Sequence, residues 1–248
     1  MPRPKLGQHF LFKGSVLERI ADAVCAPGEP LVVEIGPGRG ALTERLLRRA
    51  ARVAAVEIDP VLAAHLRAKF PSLELVEADV LRTDLEQWGP AALAGNLPYY
   101  ITSPILERVI AARAAVKRAV FLVQKEVADR MAASPGGRDY GYLTVALRLF
   151  FDAEILGVVK PAAFHPPPKV DSAIVRLEPH DRAAELGIAV PAAFLELVGL
   201  AFRHKRKTLR NNLAPRFGAA ADTLPEARLR AEQLTLESFA ALYHRLLG

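Results

Sequence analysis

The sequence predicts a doubly wound α/β sheet followed by a small all-helical C-terminal domain, on three observations. First, short apolar runs at residues 31–35, 53–56, 73–76, 91–95 and 119–123 recur with helical stretches between them. Parallel strands buried on both faces have this pattern. Second, the first run opens into a turn carrying Gly36, Gly38 and Gly40 before a helical stretch, the arrangement of a Rossmann-like nucleotide cradle. Third, the composition changes at residues 179–187, and beyond it apolar residues fall at helical spacing in Phe194, Leu195, Val198 and Phe202, and again in Leu236, Phe239, Leu242 and Leu246. The domain boundary is therefore expected near residue 180: 1–180 form the sheet domain with a basic N-terminal arm, and 181–248 the helical domain.

Composition bounds the function. A chain of 248 residues, 51% of them hydrophobic, has room for one large domain or a large and a small one. Its one cysteine, Cys25, excludes an internal disulfide and a zinc-binding Cys cluster, which fits a reducing cytoplasm. No apolar run approaches the roughly 18 residues of a membrane span, and no apolar signal region follows the first residues. A soluble, cytoplasmic protein is expected. The net charge of +6 and pI near 9.6 favour a polyanionic partner.

In chain order, residues 3–13 form a basic segment without an acid, containing Gly7-Gln8-His9-Phe10-Leu11, and read as an arm laid over the domain. A helix is expected to Ala26, with Ser15 as N-cap, Glu18 completing a capping box and Pro27-Gly28 ending it. The strand at 31–35 and its glycines lead into a helix over 41–50. The next strand ends in Glu57, about 20 residues beyond the first glycine, where an acid binds ribose hydroxyls. Asp79 follows the strand at 73–76, placed for an adenine amine. Successive strand ends are where doubly wound sheets bind ligands, and Asn96 closes the fourth. The glycine pattern is Glu34-x-Gly36-x-Gly38-x-Gly40. Glu34 would repel a pyrophosphate and suits instead a ligand with a cationic amino-acid part and no phosphate, which describes S-adenosylmethionine.

Asn96-Leu97-Pro98-Tyr99-Tyr100 combines a side-chain amide, a backbone held extended by proline and two aromatic rings. It reads either as a proline turn with two half-buried tyrosines or as a site for a flat base bearing an exocyclic amine. In the second reading the Asn96 amide oxygen and the Leu97 carbonyl accept from the amine while Tyr99 stacks on the base. A helix is expected over 102–113 with Pro104 in its first turn, then the strand at 119–123, a helix from Gln124, and a loop at 134–137. Phe164 and the prolines after it read as a rigid connection outside any ladder. Arg203, Lys205, Arg206, Lys207, Arg210 and Arg216 form a run of cations without an acid. Such a run is either a solvated helix face or, on a chain that handles a base, a set of phosphate contacts.

The Glu-x-Gly-x-Gly-x-Gly turn with Asn96-Leu97-Pro98-Tyr99 resembles the ribosomal RNA adenine dimethyltransferases. Phe164-His165-Pro166-Pro167-Pro168-Lys169-Val170-Asp171-Ser172 and Ala201-Phe202-Arg203-His204-Lys205-Arg206-Lys207-Thr208-Leu209 are similar to later signatures of the branch that acts on 16S rRNA. The resemblance implies a methyltransferase sheet. It also implies methyl transfer from S-adenosylmethionine to the amines of two adjacent adenines near the 3′ end of 16S rRNA, in the small subunit or its precursor. By it, His9, Leu11, Gly36, Glu57, Asp79 and Asn96 contact the cofactor, and Phe164 supplies an edge of the base pocket, a second stacking ring. The family usually has Gly-Gln-Asn-Phe where this chain has Gly7-Gln8-His9-Phe10. Direct in-line displacement is the expected mechanism, with no metal, and a monomer is expected. Two alternatives stand beside it: a large-subunit rRNA dimethyltransferase conferring antibiotic resistance, and an RNA-binding assembly factor with an idle cofactor fold.

Overall fold

The structure, a computed structural model, describes residues 9–248. The arm at 3–8, including Gly7 and Gln8, lies outside the described residues. The elements begin with β1 (Phe10–Leu11), α1 (Gly14–Val24), β2 (Leu31–Ile35), α2 (Thr43–Leu46), β3 (Arg52–Glu57), α3 (Pro60–Lys69) and β4 (Glu74–Glu77). Next come β5 (Ala91–Asn96), α4 (Thr102–Ala111), β6 (Val116–Gln124), α5 (Lys125–Ala132), α6 (Tyr142–Arg148), β7 (Phe151–Val159), β8 (Phe164–His165) and β9 (Ser172–Pro179). The last are α7 (Arg182–Glu185), α8 (Pro191–Ala201), α9 (Leu209–Phe217) and α10 (Leu236–Leu247).

The chain forms two compact units, Met1–Ala128 with Ala153–Pro179, and Asp129–Asp152 with His180–Gly248. A single cut near residue 180 does not describe this division, because Asp129–Asp152 groups with the C-terminal helices. The first unit is built on a seven-stranded sheet of order β4-β3-β2-β5-β6-β9-β7. The β4-β3-β2-β5-β6 pairs are parallel, and β9 runs antiparallel to β6. The strand order reverses beside β2, between β3 and β5, which places a crevice at the carboxyl ends of these strands. All five residues of β2 are buried, as are the first five of β5, so both faces are covered and, Glu34 apart, these residues are apolar or glycine. Leu17, Ile20 and Val24, at helical spacing on α1, pack into the same core as Val32, Ala92, Val120 and Ile174.

Several elements differ from the sequence expectation. The N-cap of α1 is Lys13, without a side-chain cap, and Ser15 lies inside the helix, so the Ser15–Glu18 capping box does not form. The expected helix over 41–50 is reduced to α2, with turns on both sides. Phe164 and His165 do enter a ladder, pairing antiparallel with β1 through Phe10↔His165 and Leu11↔Phe164. The second unit packs around aromatic pairs, Tyr140–Phe202 at 6.1 Å, Phe202–Phe239 at 5.7 Å and Phe194–Tyr243 at 6.0 Å between ring centroids. Its residues 202–208 connect α8 to α9 and are not helical. Among the described residues no helix is long and apolar enough to cross a membrane.

Candidate active site

At the carboxyl ends of β2, β3, β4 and β5 the first unit encloses a cavity of about 330 Å³. His9, Leu11, Glu34, Gly36, Gly38, Glu57, Asp79, Asn96, Leu97, Pro98 and Tyr99 all line it. The parallel registers explain the convergence, since Ile35 pairs with Val56, and Glu57 with Glu77 one strand further out.

The glycine turn after β2 is drawn close to the neighbouring strand. Gly36 N–H donates to the Val56 carbonyl at 3.0 Å, and Gly38 N–H to Glu57 Oε2 at 3.1 Å. Gly38 has φ +58°, and a Cβ there would lie 3.2 Å from the Phe10 ring, so glycine serves both the left-handed backbone and the approach of β1. The Arg39 guanidinium lies 4.6 Å from the centroid of that ring.

Three acids differ in their partners. Glu57, 3% exposed, also accepts from Asp59 N–H at 2.9 Å. Burial raises its carboxyl above the ordinary range, against the lowering effect of these backbone donors. Asp79 accepts from Leu81 N–H through Oδ1 at 2.9 Å, which leaves Oδ2 for a ligand. Glu34, 1% exposed, accepts from the Thr43 hydroxyl at 2.6 Å. Burial, opposed by the Thr43 bond and reinforced by the Glu57 charge, pushes its carboxyl up to about 8.

Asn96 ends β5. A Cβ on Gly95 would sit 2.6 Å from the Ile35 carbonyl oxygen, so a glycine before Asn96 lets β5 lie tightly against the end of β2. Asn96 Nδ2 donates to the His9 carbonyl at 2.9 Å, which leaves Oδ1, an acceptor, for a ligand. The buried Leu97 is held by its N–H on the Leu122 carbonyl at 3.0 Å. Pro98 accepts from the Thr102 hydroxyl at 3.0 Å, which ties the turn to the start of α4. The Tyr99 hydroxyl pairs with Ser172 Oγ at 2.7 Å, and its ring lies 5.6 Å from that of His9. His9 Nδ1 donates to the Pro166 carbonyl at 2.7 Å.

Phe164 is not in the cavity wall. It is 2% exposed and packs in the core with Leu11 and Ala163. The β1–β8 pairing sets its ring opposite Leu11, so burial of two apolar side chains replaces the expected stacking role. The structure adds Phe10, Ile58 and Tyr100 to the lining. Ile58 and Tyr100 directly follow Glu57 and Tyr99, and that adjacency was the available signal. Phe10 had the same signal, lying between His9 and Leu11, but its long-range contact with the Gly38 turn had no local mark.

In the second unit Arg203, Lys205, Arg206 and Lys207 are exposed on the α8–α9 connection and make no ion pair among the described residues. Arg210, on α9, is paired with Asp222, and Arg216 lies over the Phe217 ring. The buried Asn212 holds the connection by donating to the carbonyls of Ala201 at 2.7 Å and His204 at 3.2 Å.

The cavity's donor set fits S-adenosylmethionine. Acids stand at three strand ends, apolar side chains line the space between them, and Arg39, the one Lys or Arg of the lining among the described residues, is engaged with Phe10. Among the described residues no group of three or more His, Cys, Asp or Glu could hold a metal ion.

Comparisons with known proteins agree on the kind of protein this is. The chain is 45% identical to the ribosomal RNA small subunit methyltransferase A of Acidobacterium capsulatum, over 98% of this chain and 91% of the relative. It is 44% identical to the protein of the same name from Myxococcus xanthus, over 98% and 89%. Among solved structures, a dimethyladenosine transferase from Plasmodium falciparum superposes with TM-score 0.80 at 27% identity, over 96% of each chain. The 23S rRNA methyltransferase ErmE superposes with TM-score 0.70 at 32% identity, over 96% of this chain and 100% of its own. The model of the ribosomal RNA adenine dimethylase family matches residues 2–246, and the chain belongs to that family.

Proposed function

We propose that this protein transfers methyl groups from S-adenosylmethionine to the exocyclic amines of two adjacent adenines in the 3′-terminal hairpin of 16S rRNA, during small-subunit assembly in the cytoplasm, and that it acts as a monomer. The observation that carries the chemistry is Asn96. Its amide nitrogen is already committed to the His9 carbonyl, so the atom it offers is an acceptor, as an amine donor requires.

Bound S-adenosylmethionine supplies a methyl group activated by the sulfonium charge. Glu57 holds the ribose hydroxyls, Asp79 receives the adenine amine, Glu34 faces the cationic amino-acid part, and Leu11 with the other apolar lining residues excludes water. Asn96 Oδ1 and the Leu97 carbonyl accept from the target amine. These bonds favour its pyramidal form, in which the nitrogen lone pair is withdrawn from the ring. Tyr99 stacks on the flipped base, and its Ser172 bond fixes the ring. Arg203, Lys205, Arg206 and Lys207 contact rRNA phosphates, with Arg210 joining them if RNA displaces Asp222.

The reading over a large-subunit target is supported by the 45% identity to a small-subunit enzyme against 32% to ErmE. Asn96→Ala tests the chemistry. Its single-turnover rate should fall about a hundredfold or more with RNA affinity little changed, and a near-normal rate in the folded variant would remove Asn96 from the reaction.

A further inference from the structure

We propose that His9 is a positioning residue for methyl transfer. Its backbone carbonyl, held in place by its own ring, fixes the Asn96 amide with the oxygen left for the target amine. The inference rests on the reading of Asn96 as the amine acceptor and adds what decides which end of that amide is offered.

The two ends of an asparagine amide are nearly equal in shape and opposite in chemistry. A half-turn about the last side-chain torsion would present NH2 to the incoming amine, donor against donor, with no polarisation of its nitrogen. Asn96 Nδ2 lies 2.9 Å from the His9 carbonyl oxygen, and a carbonyl can only accept, so the nitrogen belongs there. The flipped amide would set Oδ1 against that oxygen, which loses the bond and opposes two partial negative charges.

The carbonyl is a useful reference only if it is itself fixed, and four contacts fix it. The His9 ring donates from Nδ1 to the Pro166 carbonyl at 2.7 Å; because that acceptor carries no proton, Nδ1 does. Phe10 and Leu11 pair with His165 and Phe164, Phe12 N–H donates to the Ala163 carbonyl at 3.1 Å, and the His9 ring lies 5.6 Å from Tyr99 at 31°. His9 therefore touches Asn96 through its backbone and Tyr99 through its ring. Asparagine carries Nδ2 at the same number of bonds from the backbone as histidine Nδ1, so His9→Asn preserves the donor to Pro166, whereas His9→Phe preserves only the ring.

The test uses the full chain, its single-turnover rate on undermethylated 30S particles at saturating cofactor and RNA, and the Asn96 side-chain amide resonances of the ligand-free protein. In His9→Ala the rate should fall on the order of tenfold or more, and the two Asn96 amide protons should shift and exchange faster with solvent. His9→Asn should restore both readouts, and His9→Phe neither; the phenylalanine variant carries the same prediction if the alanine one does not fold. In an Asn96→Ala background His9→Ala should cost little further rate, because the amide it positions is gone. An undiminished His9→Ala effect in an impaired Asn96→Ala background, or unmoved amide resonances, overturns the role of His9 alone. A near-normal Asn96→Ala overturns both that role and the reading beneath it.

Discussion

Glu34 sits 1% exposed at the cavity, with the Thr43 hydroxyl donating to its carboxylate and the Glu57 charge opposing ionisation. Its carboxyl titrates near 8 when folded, against an ordinary 4.5, so between these values the folded state binds the extra proton. Stability therefore falls as pH rises from about 4.5 to about 8 and is flat above that, as far as this group contributes. Glu34→Gln keeps a partner for Thr43 and removes the titration. It should melt higher than the parent at pH 8, with the advantage shrinking toward pH 5, and equal slopes in thermal scans would place the group elsewhere in pH. A cationic ligand part favours the ionised form, so cofactor binding at pH 7 should release a proton. Calorimetry in buffers of different ionisation enthalpy measures this release, and Glu34→Gln should abolish it. Glu57 has a different task. Removing it leaves ribose hydroxyls unpaired, so Glu57→Ala should weaken cofactor binding by about 1 to 3 kcal/mol, and unchanged affinity in a folded variant would take Glu57 out of the site.

Two elements carry the placement of these residues. The tight approach of β5 to β2 depends on Gly95, where an added Cβ meets the backbone oxygen of Ile35 at 2.6 Å and cannot be relieved by a side-chain rotation. Gly95→Ala should therefore destabilise the protein by about 1 to 3 kcal/mol and lower the methyl-transfer rate through Asn96, as denaturant melts and single-turnover assays would show. The α8–α9 connection carries four cations that make no ion pair among the described residues, on a segment whose first half Asn212 holds through the carbonyls of Ala201 and His204. If it contacts rRNA phosphates, each neutralisation should flatten the dependence of log affinity on log salt by up to roughly 0.9, the duplex-DNA figure. A Lys205→Ala, Arg206→Ala, Lys207→Ala triple variant should show that flattening on 30S particles with cofactor affinity unchanged, since phosphate contacts position the enzyme without choosing the base. An unaltered slope would make the segment only a solvated surface.

Over the whole molecule, legibility followed the range of the interactions. The central strands were readable because burial on both faces demands continuous apolar runs, and the acids at their ends because successive parallel strands finish on the same side. The two-residue β1 and β8 were not readable. They are too short to show a period of two, and their pairing joins residues more than 150 positions apart. The same long-range pairing explains Phe164, since an aromatic beside prolines looks the same in sequence whether it faces a cavity or a core. The grouping of Asp129–Asp152 with the C-terminal helices was hidden too, because a returning segment carries no local mark of where it packs. Asn96 was legible as a site but not in its orientation, which depends on the His9 carbonyl.

The central claim is that the cavity around Asn96 delivers methyl groups to adenines of the small-subunit RNA. It is tested most directly by incubating the protein and S-adenosylmethionine with undermethylated 30S particles, and in parallel with 50S particles, and mapping the methylated adenines by mass. Two adjacent dimethylated adenines in the 3′-terminal hairpin of 16S rRNA, lost in Asn96→Ala and absent from the 50S sample, are the predicted result. Methylation confined to the large subunit, or none on either with an intact cofactor site, would contradict it.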